Sequence, residues 1–253
     1  MNNYDLKKKL LIAKEAATIA GDFLLNHKKN INKVHLSTPR DIKLNADIES
    51  EKIIIRYIKK SSDIPILAEE SGLSSESIPD IFWVIDPLDG TANYSRDIPF
   101  YCVSIALVSK MKPLLGVIYD FNNRNLYQGS IHSKALCNNK VIKVSNITNS
   151  KEGILLTGLP NDTDYSDQAM KNMINNFQSW RKVRMIGSAA MASAYIASGK
   201  ADAYSETKTY LWDVAAGAAL VNAAGGKSVI KNQNDKFQVD VLFTNSSLST
   251  QIL

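Results

Sequence analysis

The stretch Ile81-Phe82-Trp83-Val84-Ile85-Asp86-Pro87-Leu88-Asp89-Gly90-Thr91 decides how the rest of the chain is read. An unbroken run of β-branched and aromatic residues, closed by an acid and a proline, describes a strand covered on both faces. Pro87 has no N–H and a fixed φ, so the strand is expected to stop at Asp86. Asp89-Gly90 favours a tight turn. Thr91 can then open a helix whose first N–H groups lie beside two carboxylates, and such N–H groups suit a phosphate. Buried acids would repel that anion unless a cation stood between them. Hard carboxylate oxygens suit Mg²⁺.

Working outward, Leu6, Leu10, Ala13, Ala17, Ala20 and Leu24 recur at helical spacing, predicting a helix over 5–29. A second helix is expected over 47–60, with Asp47, Glu49 and Glu51 in its first turns. Residues 64–68 form a short strand running into Glu69-Glu70. Strands follow at about 102–109, 114–120 and 125–130, with a turn at 110–113. The second half alternates α and β. It has strands near 153–157, 182–186, 201–205 and 239–244, and helices near 164–179, from Gly187-Ser188 to Ser198, and from Trp212 to Ala224. Gly225-Gly226 is a good helix stop. The Asn-rich 146–149 is expected to mark the boundary between a 1–146 α+β half and a 147–253 α/β half of one compact unit.

With 253 residues, 45% hydrophobic and 22% charged, the chain has the composition of a folded globular protein and not of a disordered one. Its 12 Gly, 7 Pro and 2 Cys exclude collagen-like and disulfide-built classes. No apolar run approaches the roughly 18 residues of a membrane span. Lys14 and Glu15 interrupt the N-terminal apolar segment too early for a signal peptide. Cys102 lies in an apolar run, where a buried thiol is expected, and the two cysteines together suggest a reduced, cytoplasmic protein. The net charge is +5, but the basic pairs are scattered and lack interleaved aromatics, which argues against nucleic acid. A mild positive balance suits an anionic, phosphorylated substrate. His27, His35 and His132 show no ligand or triad spacing.

Three acidic clusters stand at element ends: Glu69-Glu70, Asp86 with Asp89, and Asp213. Ala68-Glu69-Glu70-Ser71, Trp83 to Tyr94, and Trp212-Asp213-Val214-Ala215-Ala216-Gly217 with Ala224-Gly225-Gly226 resemble the signature segments of the inositol monophosphatase family in order and spacing. Arg184 to Ala190 resembles that family's substrate-side stretch. The resemblance spans nearly the whole chain. It implies a layered αβαβα sandwich and a lithium-sensitive phosphatase using two or three Mg²⁺ per active site. Glu69, Asp86, the Leu88 carbonyl, Asp89 and Asp213 would hold the metals. Thr91 and Asp47 would orient and deprotonate the attacking water, with Glu69 on the metal that binds it. Gly90 and Thr91 N–H groups would bind phosphate. Leu88, Asp89, Gly187, Ser188, Ala189, Glu206 and Asp213 complete the implied substrate side, with Glu206 on substrate hydroxyls.

The resemblance also implies a homodimer, and the apolar 102–108 run adds a surface that a second copy could cover. The expected substrate is a small polyol monophosphate, foremost inositol 1-phosphate. The alternatives are a 3′(2′),5′-bisphosphate nucleotide, fructose 1,6-bisphosphate and histidinol phosphate. A different class is a non-catalytic regulator that binds nucleic acid or the transcription machinery. Loss of acidic ligands would favour it, and none is lost. Two departures stand out. Leu36, near Ser37-Thr38-Pro39, occupies a position where many relatives carry Lys, and Asn138-Asn139-Lys140 replaces the usual Asn-Gly-Lys turn.

Overall fold

The computed structural model describes residues 3–37, 42–159 and 163–248. Two helices lead the chain, α1 (Asn3–Ile31) and α2 (Asn45–Lys59), with the hairpin β1 (Val34–Ser37) and β2 (Ile42–Leu44) between them. Then come β3 (Ile66–Ala68), β4 (Gly72–Leu73), β5 (Ile81–Asp89), the short helix α3 (Thr91–Ser95), β6 (Cys102–Ser109), β7 (Lys112–Asp120), β8 (Asn125–Ser130), β9 (Ser133–Cys137) and β10 (Lys140–Val141). The remainder is β11 (Ile154–Thr157), α4 (Asp167–Gln178), β12 (Lys182–Met185), α5 (Ala189–Ala197), β13 (Ala203–Tyr210), α6 (Leu211–Ala223), β14 (Lys227–Lys231) and β15 (Gln238–Thr244).

The first set of strands forms an eight-stranded sheet in the order β10-β9-β8-β7-β6-β5-β3-β4, antiparallel except where β3 runs parallel to β5. The second forms a five-stranded sheet, β12-β11-β13-β15-β14, mixed in direction. Alternation along the strands assigns the layers. Trp83, Ile85, Val103 and Ile105 pack with α1 and α2, while Phe82, Val84, Cys102 and Ala106 pack with α5 and α6. In the second sheet Leu156 and Tyr204 face α5 and α6, whereas Leu155 and Ala203 face Phe177 of α4. The order is therefore helix, sheet, helix, sheet, helix, the expected αβαβα sandwich. Each fully buried Leu, Ile or Phe contributes roughly 1.5–3 kcal/mol, and the two large clusters supply most of them.

The middle helix layer is built from small residues because it is covered on both sides. α6 reads Leu211-Trp212-Asp213-Val214-Ala215-Ala216-Gly217-Ala218-Ala219, and its residues 214–221 are buried. It approaches β7 so closely that a Cβ on Gly116 would lie 2.2 Å from the Ala216 carbonyl oxygen.

Several sequence expectations are corrected. β5 does not stop at Asp86 but continues to Asp89, which pairs with Cys102 after a register shift. Pro87 falls in that irregularity, where no ladder N–H is required. The apolarity of β6 is explained inside the chain, since residues 102–108 are buried between two helix layers. It therefore gives no support to a dimer surface. Helix α4 is shorter than expected and begins after Ser166, whose hydroxyl caps it. The hairpin β1–β2 and the strands β4, β9, β10 and β14 were not expected. Asn138 and Asn139 both take left-handed φ (47° and 66°), a conformation that Asn tolerates better than other non-glycine residues.

Candidate active site

The acidic clusters meet at one cavity of about 520 Å³. Its lining includes Glu69, Asp86, Leu88, Asp89, Gly90, Thr91, Gly187, Ser188, Ala189, Glu206 and Asp213. Of the expected site residues only Asp47 lies behind the wall, where Thr91 touches it. His27, His35 and His132 do not line the cavity.

Each acid is placed by a local backbone rule. Asp47 and Asp213 are third residues of their helices, and each turns Oδ2 back onto the N–H preceding the helix: Leu44 N at 2.6 Å and Tyr210 N at 2.9 Å. Thr209 Oγ1 also donates to Asp213 Oδ2, at 2.7 Å. Asp86 Oδ1 accepts the Leu88 N–H at 3.0 Å, stabilising the irregular end of β5. Asp89 Oδ2 accepts from Ser188 Oγ and, at 2.8 Å, from Ala190 N at the start of α5. That contact joins the two sheets' halves of the site. Cys102 is buried as expected, its Sγ 3.7 Å from the same oxygen.

Gly90 permits the turn from β5 into α3. Its φ is +86°, and a Cβ there would stand 2.5 Å from the Phe100 carbonyl oxygen. Thr91 Oγ1 lies 2.8 Å from Asp47 Oδ1 and 3.0 Å from the Leu88 carbonyl oxygen. One hydroxyl hydrogen serves both, so Thr91 can pass a proton toward Asp47 while its oxygen keeps lone pairs with which to accept.

Burial raises the pKa values of the whole group, and repulsion between neighbouring acids adds to it. Asp47 is pushed up to about 6 by burial against the opposing hydrogen bonds of Leu44 and Thr91. Asp213 is pushed up to about 7 by burial and then by Asp89. Glu69 and Asp86 stand well above the ordinary carboxylate range, through burial first and the neighbouring acids second. A quarter of the Glu69 side chain still meets solvent. Four hard-oxygen acids short of positive charge fit a divalent cation. Among the described residues no three of them are already arranged to hold one. Asp86, Asp89 and Asp213 have each turned an oxygen to a protein donor instead.

Leu36 pairs across the hairpin with Lys43, whose Nζ lies 2.9 Å from both Glu70 carboxylate oxygens and 3.9 Å from Glu69 Oε1. Thr38 and Pro39 lie outside the described residues. Glu206 projects from β13 against Gly158, accepts the Tyr204 hydroxyl at 2.8 Å, and is pushed up to about 7 by burial. Tyr210 and Trp212 stack with centroids 4.6 Å apart at the cavity wall. Sequence reasoning missed Lys43, Ser50, Glu51 and the role of Asn93. Asn93 Nδ2 lies 2.8 Å from the carbonyl oxygens of Phe100 and Ile186, fastening the Gly187 turn to α3.

The sequence matches the model of the inositol monophosphatase family over residues 5–250. It is 38% identical over 216 residues to Nus factor SuhB of Xylella fastidiosa, covering 84% of this chain and 78% of that one. It is 33% identical over 231 residues to inositol-1-monophosphatase of Synechocystis, covering 88% and 78%. The inositol monophosphatase structure from Anabaena superposes with a TM-score of 0.82 at 34% identity, covering 96% of this chain and 92% of that one. The chain belongs to the inositol monophosphatase family. Among the described residues no helix is long and apolar enough to cross a membrane.

Proposed function

We propose that the protein hydrolyses a small phosphate monoester, foremost inositol 1-phosphate, with two or three Mg²⁺ held by Glu69, Asp86, the Leu88 carbonyl, Asp89 and Asp213. The observation that carries this reading is the convergence of four charge-deficient acids, from β3, β5 and α6, on one cavity beside the Gly90-Thr91 turn. Bound Mg²⁺ would lower the pKa of water and neutralise phosphate charge. The chain's own groups do the rest. Thr91 Oγ1 orients the attacking water and relays its proton toward Asp47, whose raised pKa suits it to receive one. Gly90 and Thr91 N–H groups hold phosphate oxygens. Ser188 and Ala190 hold Asp89 in place. Glu206 accepts hydroxyls of the leaving polyol.

The experiment is a panel with Mg²⁺: inositol 1-phosphate, an adenosine 3′,5′-bisphosphate, fructose 1,6-bisphosphate and histidinol phosphate. Release of phosphate chiefly from inositol 1-phosphate supports the reading. Preference for another member moves the substrate, and no turnover of any refutes the catalytic role. A second reading is a regulator of the transcription machinery, favoured by the similarity to proteins named Nus factor SuhB. Absent phosphatase activity together with binding to RNA polymerase components would establish it. We also propose a homodimer; light scattering showing a stable monomer at micromolar concentration would refute that.

A further inference from the structure

Helix α2 covers the eight-stranded sheet with a face that is not wholly apolar. Asp47, Ser50 and Glu51 are spaced three and four residues apart, on one side of the helix. All three are buried, at 1%, 0% and 4% exposure. Each reaches a different segment of the cavity wall. Asp47 meets Thr91. Ser50 Oγ donates to the Pro87 carbonyl at 2.8 Å, one residue before Leu88. Glu51 Oε2 accepts the Glu70 N–H at 2.9 Å, and Glu51 also hydrogen-bonds Ser71. Glu69, Glu70 and Ser71 are the turn between β3 and β4. A buried carboxylate is costly unless its oxygens are filled. Here they are filled by the backbone of the turn that presents Glu69.

We infer that Glu51 is a positioning residue for the cation site: it holds the Glu69-Glu70-Ser71 turn so that the Glu69 carboxylate faces Asp86 and Asp213. Ser50 does the same, more weakly, for the end of β5. This rests on the proposed phosphatase reading and adds to it which residues set Mg²⁺ affinity. Glu51 touches neither substrate nor reacting atoms. Lys43 grips the Glu70 side chain from the hairpin, while Glu51 grips its backbone from below. The turn is thus fixed from two elements.

The test is Mg²⁺ binding by calorimetry, with amide hydrogen exchange at Glu70 and Ser71 in chelator. Partners that orient metal ligands typically change metal affinity about 10- to 100-fold when removed. Glu51→Ala should weaken Mg²⁺ by that factor, speed exchange at both amides, and leave the substrate KM at saturating Mg²⁺ within about twofold of wild type. Glu51→Gln keeps one oxygen for the Glu70 N–H and should fall between the two. Lys52→Ala, exposed on the same helix, should match wild type. Should Glu51→Ala fail to fold, Glu51→Gln decides, and wild-type affinity and exchange in it overturn the inference. A loss of kcat with unchanged Mg²⁺ affinity also overturns it. If wild-type protein binds no Mg²⁺, the functional reading and this inference both fall. If it binds Mg²⁺ and the Glu51 variants bind equally well, only the inference falls.

Discussion

Glu206→Gln should make the metal-free protein more stable and the enzyme worse. Burial pushes the Glu206 carboxyl from an ordinary 4.5 to about 7. The native state therefore retains a proton that the unfolded chain has already lost. That penalty is absent below pH 4.5, grows as pH rises from 4.5 to 7, and is complete above 7. The gap of about 2.5 between those values corresponds to about 3–4 kcal/mol at about 1.4 kcal/mol for each pH unit. Glu206 keeps some contact with solvent at the cavity, so we take about 1–2 kcal/mol. The Gln carbonyl can still accept the Tyr204 hydroxyl, now 2.8 Å from Oε2. The substitution thus removes charge without orphaning a buried donor.

The assay is thermal unfolding in chelator at pH 5 and pH 8. About 1–2 kcal/mol should raise the melting temperature by about 2–8 °C at pH 8 for a chain of this length, with a much smaller rise at pH 5. The same variant should lose about 10- to 150-fold in kcat/KM on inositol 1-phosphate, the equivalent of one charged hydrogen bond of roughly 1.5–3 kcal/mol. A variant no more stable than wild type at pH 8 would show that the carboxylate is not strained. An equal gain at both pH values would assign the effect to packing. Undiminished turnover of inositol 1-phosphate would remove Glu206 from the substrate contacts.

Asp89→Asn should abolish turnover while circular dichroism stays native, since an amide oxygen can still accept from Ser188 and Ala190; full activity, or wild-type activity indifferent to chelator, would rule out the metal mechanism. Gly116→Ala forces a Cβ to 2.2 Å from the Ala216 carbonyl and should destabilise by about 1–3 kcal/mol or more, read as a lower denaturation midpoint; an unchanged midpoint would mean that α6 yields. Lithium should inhibit uncompetitively or noncompetitively, as the family resemblance implies, and indifference at tens of millimolar, on the order of the largest practical dose, would point to a different second cation site.

What the sequence made legible follows from how local the signals are. The helical stripe of α1, the apolar β5 and the small-residue α6 carry their signal in neighbouring residues, and all three elements formed, β5 running past its expected end to Asp89. The hairpin β1–β2 and the strand β14 were missed because each is short and at least partly exposed, with no clear alternation to mark it. Lys43 escaped notice for a different reason: its link to Glu69-Glu70 is distant in sequence and exists only once the hairpin folds across the β3 turn. Glu51 carried a signal that went unused, four residues beyond Asp47 on the same helix face.

The acids show why a structural reading and a functional reading of the same residue need not compete. Asp47 and Asp213 each occupy the third position of a helix, where an acid satisfies a free N–H and favours the helix dipole. Taken alone, either is an ordinary cap. Yet the cap uses only Oδ2. In Asp47 the other oxygen meets Thr91, and Asp213 lines the cavity. Asp86 and Asp89 divide their oxygens in the same way, one oxygen accepting the Leu88 N–H or the Ser188 and Ala190 donors. Fixing one oxygen on the backbone fixes the direction of the other, so the caps position the site. The cost is charge: four acids cannot share this cavity without their pKa values rising. A cation that lowers them again would stabilise the folded chain as well as equip it for chemistry, so melting temperature should climb with Mg²⁺ above pH 7 and respond less near pH 5, below the value of about 7 to which Asp213 is raised. A Mg²⁺ effect equal at both pH values would separate the cation from these carboxylates.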